Sequence, residues 1–291
     1  MKKVQLIFAS ILCSFTILFV SCNQKDDDTL ESSNLLPKEI QQLVSIQGNK
    51  DSDLVIINTQ GGPVTTLLEK ELTAIIDKAD AKNVLWVNVH QVQTKNPELF
   101  KDKDITFQQA KDYDQQSIDD LKKVITYYKT KTNKRVVVLG ISFGAFMTQG
   151  LIEKYGIDVA DQYFIMVGRL NIEENLWKGF QRGEIGGYTY DEKGAYSIIL
   201  YNQESVEDRN TSRLAAGLGH KRFVTTLSKI EDLSKITYVY GTRDEQVGNF
   251  TQPEIDFLKA KKATVIKVEG KNHSGAINHG ITILKETFKI K

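Results

Sequence analysis

The stretch Gly140-Ile141-Ser142-Phe143-Gly144 decides the fold of this chain, because of the segments on either side of it. Residues 135–139 are Arg-Val-Val-Val-Leu, a β-branched run that predicts a short buried strand. Residues 145–154 carry apolar side chains at helical spacing and predict a helix. A strand that turns sharply into a helix at Gly-x-Ser-x-Gly raises the serine hydroxyl above the sheet edge. The two glycines are needed because a Cβ at either place would collide with a neighbouring strand or helix. Ser142 is therefore the predicted nucleophile.

A serine hydroxyl needs a base to accept its proton, and the chain has four histidines. His273 follows a strand-like run, residues 263–270, so we expect it on a loop at the carboxyl end of a strand, where α/β sheets build their sites. We interpret His90, His220 and His279 as solvated surface histidines. His273 is the predicted base.

The base in turn needs a carboxylate that orients its ring. Residues 235–240 alternate and are rich in β-branched and aromatic side chains, which predicts a strand, and Asp244 lies on the loop that follows. Glu245 is the alternative acid. The preceding predicted strand runs into Gly168 and Arg169 and offers no acid.

Three motifs now stand in one order along the chain: Gly-x-Ser-x-Gly at 140–144, Gly-x-x-Asp-x-x-Val at 241–247 and Gly-x-x-His at 270–273. Together they resemble the α/β-hydrolase superfamily, over most of the chain from about residue 53 onward. The resemblance implies an α/β-hydrolase fold, with a mostly parallel central sheet, helices on both faces and a cap insertion. It also implies a serine hydrolase that acts through an acyl-enzyme, with Ser142, His273 and Asp244 as nucleophile, base and orienting acid.

Acyl transfer also needs hydrogen-bond donors for the oxyanion. The backbone N–H of Phe143 is the first predicted donor, since it directly follows the nucleophile. Residues 53–58 predict an earlier strand that leads into Gln60-Gly61-Gly62-Pro63. This segment is similar to the His-Gly-Gly-Pro loop of several hydrolase families, including proline iminopeptidases, but has Gln60 in place of the histidine. We assign Gly62 as the second donor, with Gly61 close behind, and a plain glycine turn is the alternative.

The remaining pattern fits one large α/β domain over residues 51–291. Predicted strands alternate with helical stretches, which argues for a mostly parallel sheet. These strands cover residues 53–59, 84–89, 135–139, 163–167, 236–240 and 264–268. A long helix is predicted at 106–131, before the strand that leads to Ser142. The alternation breaks at about 171–232, the predicted cap, where residues 188–196 suggest a hairpin between helices and aromatic residues either line a pocket or pack the cap onto the core.

The first residues have the pattern of a signal peptide over 1–21, with Lys2 and Lys3 before an apolar run. An uncleaved membrane anchor is the alternative, although the run is barely long enough to span a bilayer. It ends in Phe-Val-Ser-Cys at 19–22, which resembles a bacterial lipobox and implies lipid attachment at Cys22.

Residues 22–50 are predicted to be a tether, polar and turn-rich apart from a short helix at 37–44. The Lys-acidic run at 23–28 resembles a signal that sends some lipoproteins to the outer-membrane surface, or it is simply a solvated linker. The expected location is therefore the bacterial cell envelope, with the membrane contacted through the N-terminal lipid.

Composition excludes several classes of function. The 38 basic and 37 acidic residues nearly balance, so nucleic acid is not a predicted partner. No cluster of Cys, His and carboxylates predicts a metal, and no cofactor is expected. Loss of Cys13 with the signal peptide would leave only Cys22, and therefore no disulfide.

The predicted substrate is a small carboxylic ester. Short peptides are the alternative within the same fold, and a surface lipoprotein that binds without turnover is the alternative of another class.

Overall fold

The computed structural model describes residues 36–290. The predicted signal peptide, the lipid-attachment residue Cys22 and the first part of the predicted tether lie outside the described residues.

The core of the fold is one seven-stranded sheet. The described residues form nine strands, of which seven belong to this sheet. In chain order they are β1 (Val44–Gly48), β2 (Leu54–Thr59), β3 (Leu85–Val89), β4 (Arg135–Ile141), β5 (Gln162–Met166), β6 (Ile185–Tyr190), β7 (Tyr196–Tyr201), β8 (Ile236–Gly241) and β9 (Thr264–Val268). The sheet has the order β1-β3-β2-β4-β5-β8-β9, and β6 pairs with β7 as a separate hairpin. Only β1 is antiparallel to its neighbour, β3. The prediction of a mostly parallel α/β sheet is confirmed, and all six predicted strands are present.

Helices cover both faces of this sheet, which is why its inner strands read as continuous apolar runs. They are α1 (Lys38–Gln41), α2 (Glu69–Lys78), α3 (Val92–Lys95), α4 (Phe107–Thr126), α5 (Phe143–Tyr155), α6 (Glu174–Arg182), α7 (Val206–Gly219), α8 (Phe223–Thr226), α9 (Gln252–Ala260) and α10 (His273–Thr287). Side chains of α2 and α10 share one buried cluster. Side chains of α4, α5 and α7 belong to the other.

The long helix before β4 begins and ends close to its predicted bounds. Thr106 accepts a hydrogen bond from the backbone N–H of Gln109, and the Gln109 side chain accepts one from the backbone N–H of Thr106. This capping box explains the sharp start of α4. The predicted last residues, Tyr127–Lys131, form a π-helical turn that continues α4.

The predicted tether is too long, because its last part is folded. β1 forms the edge of the sheet, with Ile46 opposite Val87. Ile40 and Leu43, just before β1, are buried. The strand itself is only half-buried and too short for a strong periodic pattern, so its place in the sheet depends on β3 rather than on its own sequence.

The part of the chain predicted to form the cap lies between β5 and β8 and contains α6, β6, β7, α7, α8 and a short 3₁₀ helix, Leu227–Lys229. The predicted hairpin is confirmed, with Tyr190 paired to Tyr196 and a turn closed by the hydrogen bond from Asp191 N–H to Ala195 O at 2.8 Å. Gly194 in this turn has φ +85°, which glycine adopts without strain.

A buried ion cluster joins this segment to the core. The Nη1 of Arg169 donates to both carboxylate oxygens of Glu173, at 2.8 and 2.7 Å, and its Nη2 lies 3.4 Å from Glu254 Oε2. The Tyr188 hydroxyl donates to Glu173 as well. Burial opposes the charge of the guanidinium, but Glu254, Tyr188 and Glu173 together raise the pKa of Arg169 above its usual value. These charge-assisted hydrogen bonds join the segment between β5 and β8 to the core.

Candidate active site

Ser142 occupies the single residue between β4 and α5. Its backbone has φ 54° and ψ −115°, a combination that residues other than glycine rarely adopt. The Ser142 N–H donates to the carbonyl of Met166 at the end of β5, at 3.0 Å. The turn is therefore anchored to the neighbouring strand, and it places the serine at the carboxyl edge of the sheet.

The two glycines of the pentapeptide are required by close packing, as the sequence predicts. A Cβ on Gly144 would lie 1.8 Å from the carbonyl oxygen of Thr59, at the end of β2. A Cβ on Gly140 would lie 2.4 Å from Thr148 Oγ1, on the first turns of α5. Strand, turn and helix can approach this closely only because neither position carries a side chain.

The structure brings His273 and Asp244 together. Nδ1 of His273 lies 2.9 Å from Oδ1 and 2.8 Å from Oδ2 of Asp244, and both side chains are buried. Since a carboxylate only accepts hydrogen bonds, this contact places a proton on Nδ1 and leaves Nε2 as the free ring nitrogen. Oδ1 of Asp244 also accepts the backbone N–H groups of Gln246, at 2.9 Å, and Val247, at 3.0 Å. The carboxylate is therefore held in place by its own loop.

Glu245, the alternative acid, contacts the same histidine in another way. Its Oε2 accepts the backbone N–H of His273 at 3.0 Å. His273 is the first residue of α10, so this carboxylate sits at the positive end of the helix. The two consecutive acids thus hold one histidine, Asp244 by its ring and Glu245 by its backbone. His273 itself begins a helix, where the sequence suggested a loop.

The loop after β2 passes beside Ser142. A Cβ on Gly61 would lie 3.5 Å from the Cβ of Ser142, so the backbone of this glycine runs next to the serine. Gly62 has φ +131°, a conformation that favours glycine. Phe143 is the first residue of α5, where a backbone N–H has no acceptor within the helix. The predicted oxyanion donors therefore lie on the two segments that flank Ser142.

Gln60 supports this loop. Its Nε2 donates to Thr66 O at 2.9 Å, its Oε1 accepts the Leu68 N–H at 2.7 Å, and its own carbonyl accepts from Gln91 Nε2 at 3.2 Å. In place of the histidine of the His-Gly-Gly-Pro loop, this chain has an amide that joins Gln60, before the glycines, to the backbone of Thr66 and Leu68 after them.

Solved structures of other proteins are similar to this chain in fold. No family model matches this chain, and no curated protein matches it in sequence. Among solved structures, an α/β-hydrolase enzyme, MGS-M2, from a Medee basin deep-sea metagenome library matches with a TM-score of 0.56 and 12% identity, over 85% of this chain and 94% of that one. Est1E from Butyrivibrio proteoclasticus with ferulic acid bound gives a TM-score of 0.52 and 14% identity, over 85% and 95% of the two chains.

A lipase-esterase related protein from Clostridium acetobutylicum gives a TM-score of 0.52 and 10% identity, over 85% and 98%. This chain has the α/β-hydrolase fold. The prediction of this fold from the three motifs is confirmed. At such low identities the likeness concerns the fold alone.

The other histidines of this α/β-hydrolase fold lie in different surroundings. His279 is exposed, as predicted. His90 and His220 are half-buried instead, and burial lowers the pKa of each. His90 Nδ1 lies 3.0 Å from Thr94 Oγ1, and His220 packs edge-on against Phe107. The prediction of solvated histidines is wrong for these two because local packing covers them.

The sequence did not predict a contact between the segment 171–232 and Asp244. The Tyr190 hydroxyl donates to the backbone carbonyl of Asp244 at 2.9 Å. The aromatic residues of the cap are visible in the sequence, but no spacing rule connects position 190 to position 244.

Within residues 36–290, no group of three or more His, Cys, Asp or Glu side chains is arranged to hold a metal ion. No helix in that range is long and apolar enough to cross a bilayer.

Proposed function

We propose that this protein is a serine hydrolase that cleaves carboxylic esters through an acyl-enzyme. Ser142 Oγ attacks the ester carbonyl carbon while His273 Nε2 accepts the serine proton. His273 then delivers that proton to the leaving alkoxide as the acyl-enzyme forms. A water molecule, deprotonated by His273, attacks the acyl group, and its proton returns to Ser142 as the carboxylic acid leaves. The observation that carries the proposal is the buried His273–Asp244 pair at the same sheet edge as the strained Ser142 turn.

The oxyanion of each tetrahedral intermediate is stabilised by backbone donors in this proposal. The Phe143 N–H is the first, and the Gly62 N–H is the second, with Gly61 next to it. Donors held rigidly where charge develops contribute a large part of catalysis in acyl transfer. The side-chain bonds of Gln60 to Thr66 and Leu68 support the required rigidity.

Esters are favoured over peptides as the substrate class. The chain lacks the histidine of the His-Gly-Gly-Pro loop, which weakens the link to the iminopeptidases. Est1E, which has a similar fold, is described with ferulic acid bound, and another similar structure is a lipase-esterase related protein. Short peptides remain the second candidate, on the Gln60-Gly61-Gly62-Pro63 loop alone. Turnover of ester, thioester and aminoacyl amide panels by the purified protein separates these classes.

A fluorophosphonate probe tests the nucleophile. It should label the folded protein at Ser142, because such probes react with serines activated by a neighbouring base. Ser142→Ala should abolish the labelling, read by gel fluorescence and by mass spectrometry of the labelled peptide.

Ser274→Ala is the matched control, since Ser274 is exposed and adjacent to His273. Its labelling should equal that of the wild type. Label that persists in Ser142→Ala, or that maps to another serine, would exclude the assignment. A folded wild-type protein that takes no label at all would favour the binding lipoprotein instead.

We also propose that the mature protein is anchored in the bacterial cell envelope by lipid on Cys22. Each buried CH₂ of an acyl chain contributes about 0.8 kcal/mol, so two or three chains hold a protein firmly. Cys22→Ser should therefore block lipid attachment and normal processing. Metabolic labelling with a palmitate analogue, detergent partitioning and mass spectrometry of the mature N-terminus measure this. Mature wild-type protein with an intact Met1 and no lipid would indicate an uncleaved membrane anchor.

A further inference from the structure

The loop that carries Asp244 is bound to the cap at three consecutive residues. We call residues 242–250 the acid loop and residues 185–201, which form β6, β7 and their turn, the cap hairpin. Nη2 of Arg243 donates to Glu192 O at 3.0 Å. The backbone N–H of Tyr188 donates to Glu245 O at 2.8 Å. Between these two contacts, the Tyr190 hydroxyl donates to Asp244 O at 2.9 Å.

The cap hairpin and the acid loop are packed so closely that two of their residues have no room for a side chain. A Cβ on Gly187 would lie 2.2 Å from Glu245 O, and a Cβ on Gly248 would lie 2.9 Å from Cζ of Tyr188. Backbone therefore touches backbone, or ring touches backbone, on both sides of Asp244. A shift of the hairpin must move the acid loop with it.

Tyr190 is well suited to hold the Asp244 peptide. Its ring packs edge-on against Tyr196, with centroids 6.1 Å apart, and the Tyr196 hydroxyl donates to Glu173 Oε1 at 2.7 Å. Glu173 in turn accepts hydrogen bonds from Arg169, so the Tyr190–Tyr196 ring pair is linked to the ion cluster and, through that cluster, to the core. Burial raises the pKa of Tyr190 to about 12, so its hydroxyl remains a hydrogen-bond donor at neutral pH.

We propose that Tyr190 is a positioning residue for Asp244, which fixes the peptide of the acid so that its carboxylate stays on Nδ1 of His273. The inference rests on the proposed function, because it gives the cap a role in the same reaction. Rotation of the Asp244 peptide would swing the carboxylate away from the imidazole, and small displacements of catalytic groups are costly. The cap hairpin would then contribute to catalysis.

Tyr190→Phe removes the hydroxyl and keeps the ring. On an ester that the wild type hydrolyses, kcat should fall about tenfold, the effect of losing one hydrogen bond that acts on the transition state. KM should change less than twofold, because the hydroxyl binds the enzyme rather than the substrate. Tyr201→Phe is the matched control, since Tyr201 is an exposed tyrosine of the same hairpin, and it should leave both constants unchanged.

A double-mutant cycle separates positioning from general destabilisation. Tyr190→Phe should have little further effect in an Asp244→Asn background, measured with an activated ester whose residual turnover is detectable. An undiminished tenfold loss in that background, or a Tyr190→Phe kcat equal to that of the wild type, would overturn the proposal.

Proton NMR tests the same contact without turnover. The downfield Nδ1–H resonance of the imidazole, assigned by its loss in His273→Ala, should shift or broaden in Tyr190→Phe and remain unchanged in Tyr201→Phe. An unchanged resonance in Tyr190→Phe would refute the positioning role even in a protein without activity. A wild type that neither reacts with fluorophosphonate nor turns over esters would instead overturn the proposed function, so the two failures are distinguishable.

Discussion

Alanine at His273 should lower kcat about a millionfold, as alanine at Ser142 should, and the double variant should be no slower than either single one. In the proposed mechanism the serine and the imidazole act as one unit, because the proton of Ser142 passes to His273, and losses of such groups are strongly non-additive. The buried contact of His273 with Asp244 leaves only Nε2 for this transfer. Steady-state kinetics on the best ester of a substrate panel would measure these losses.

The remaining histidines provide the controls. His279 is exposed on the same helix as His273, and His220 packs beside Phe107. Alanine at either should change kcat by less than about tenfold. If His273→Ala stayed within tenfold of the wild type, the base would have to be sought elsewhere.

Asparagine at Asp244 should lower kcat about ten-thousandfold, whereas glutamine at Glu245 should cost less than about tenfold. An amide in place of the Asp244 carboxylate no longer enforces a proton on Nδ1, and the imidazole takes the wrong tautomer for a base. The amide of Glu245→Gln would keep an oxygen acceptor for the His273 N–H, so the start of α10 would hardly move. Parallel kinetics of Asp244→Asn and Glu245→Gln provide the comparison.

Thermal denaturation of the two variants serves as the check on folding. Both substitutions keep the size of the side chain, and an amide oxygen at 244 can still accept from Gln246 and Val247. Both melting temperatures should therefore stay within a few degrees of the wild type. A larger loss of kcat in Glu245→Gln than in Asp244→Asn would mean that the acid has been assigned to the wrong carboxylate.

The central part of the fold could be predicted because its determinants are local. The nucleophile turn is built from consecutive residues, because Ser142 directly joins β4 to α5. Gly140 and Gly144 indicate close packing in this turn, since neither position has room for a Cβ. Asp244 and His273 follow strands whose β-branched runs are clear in the sequence, Asp244 on a loop and His273 at the start of α10. Parallel strands end at one sheet edge, so the sequence was enough to predict that these two residues lie close together, as their contact shows.

The remaining features depend on contacts between distant segments. β1 belongs to the sheet because it pairs with β3, a strand from a separate part of the chain, with Ile46 opposite Val87. The choice between Asp244 and Glu245 depends on how one loop faces α10, which spacing alone leaves open. Tyr190 and Asp244 are 54 positions apart in the sequence. The sequence of the hairpin predicts its turn, but it does not predict which residue the Tyr190 hydroxyl contacts.

The Arg169 cluster limits how the segment between β5 and β8 could be exchanged by engineering. Arg169 and Glu254 belong to the core, whereas Glu173 and Tyr188 come from the inserted segment. A graft that replaced this segment would remove Glu173 from the guanidinium and leave the longer contact with Glu254. Breaking a buried ion pair by removing one partner costs about 3–5 kcal/mol, a large share of the stability of an ordinary domain. We therefore expect a chain in which residues 171–232 are exchanged to lose stability unless Arg169 is replaced at the same time, which ties this core position to the segment.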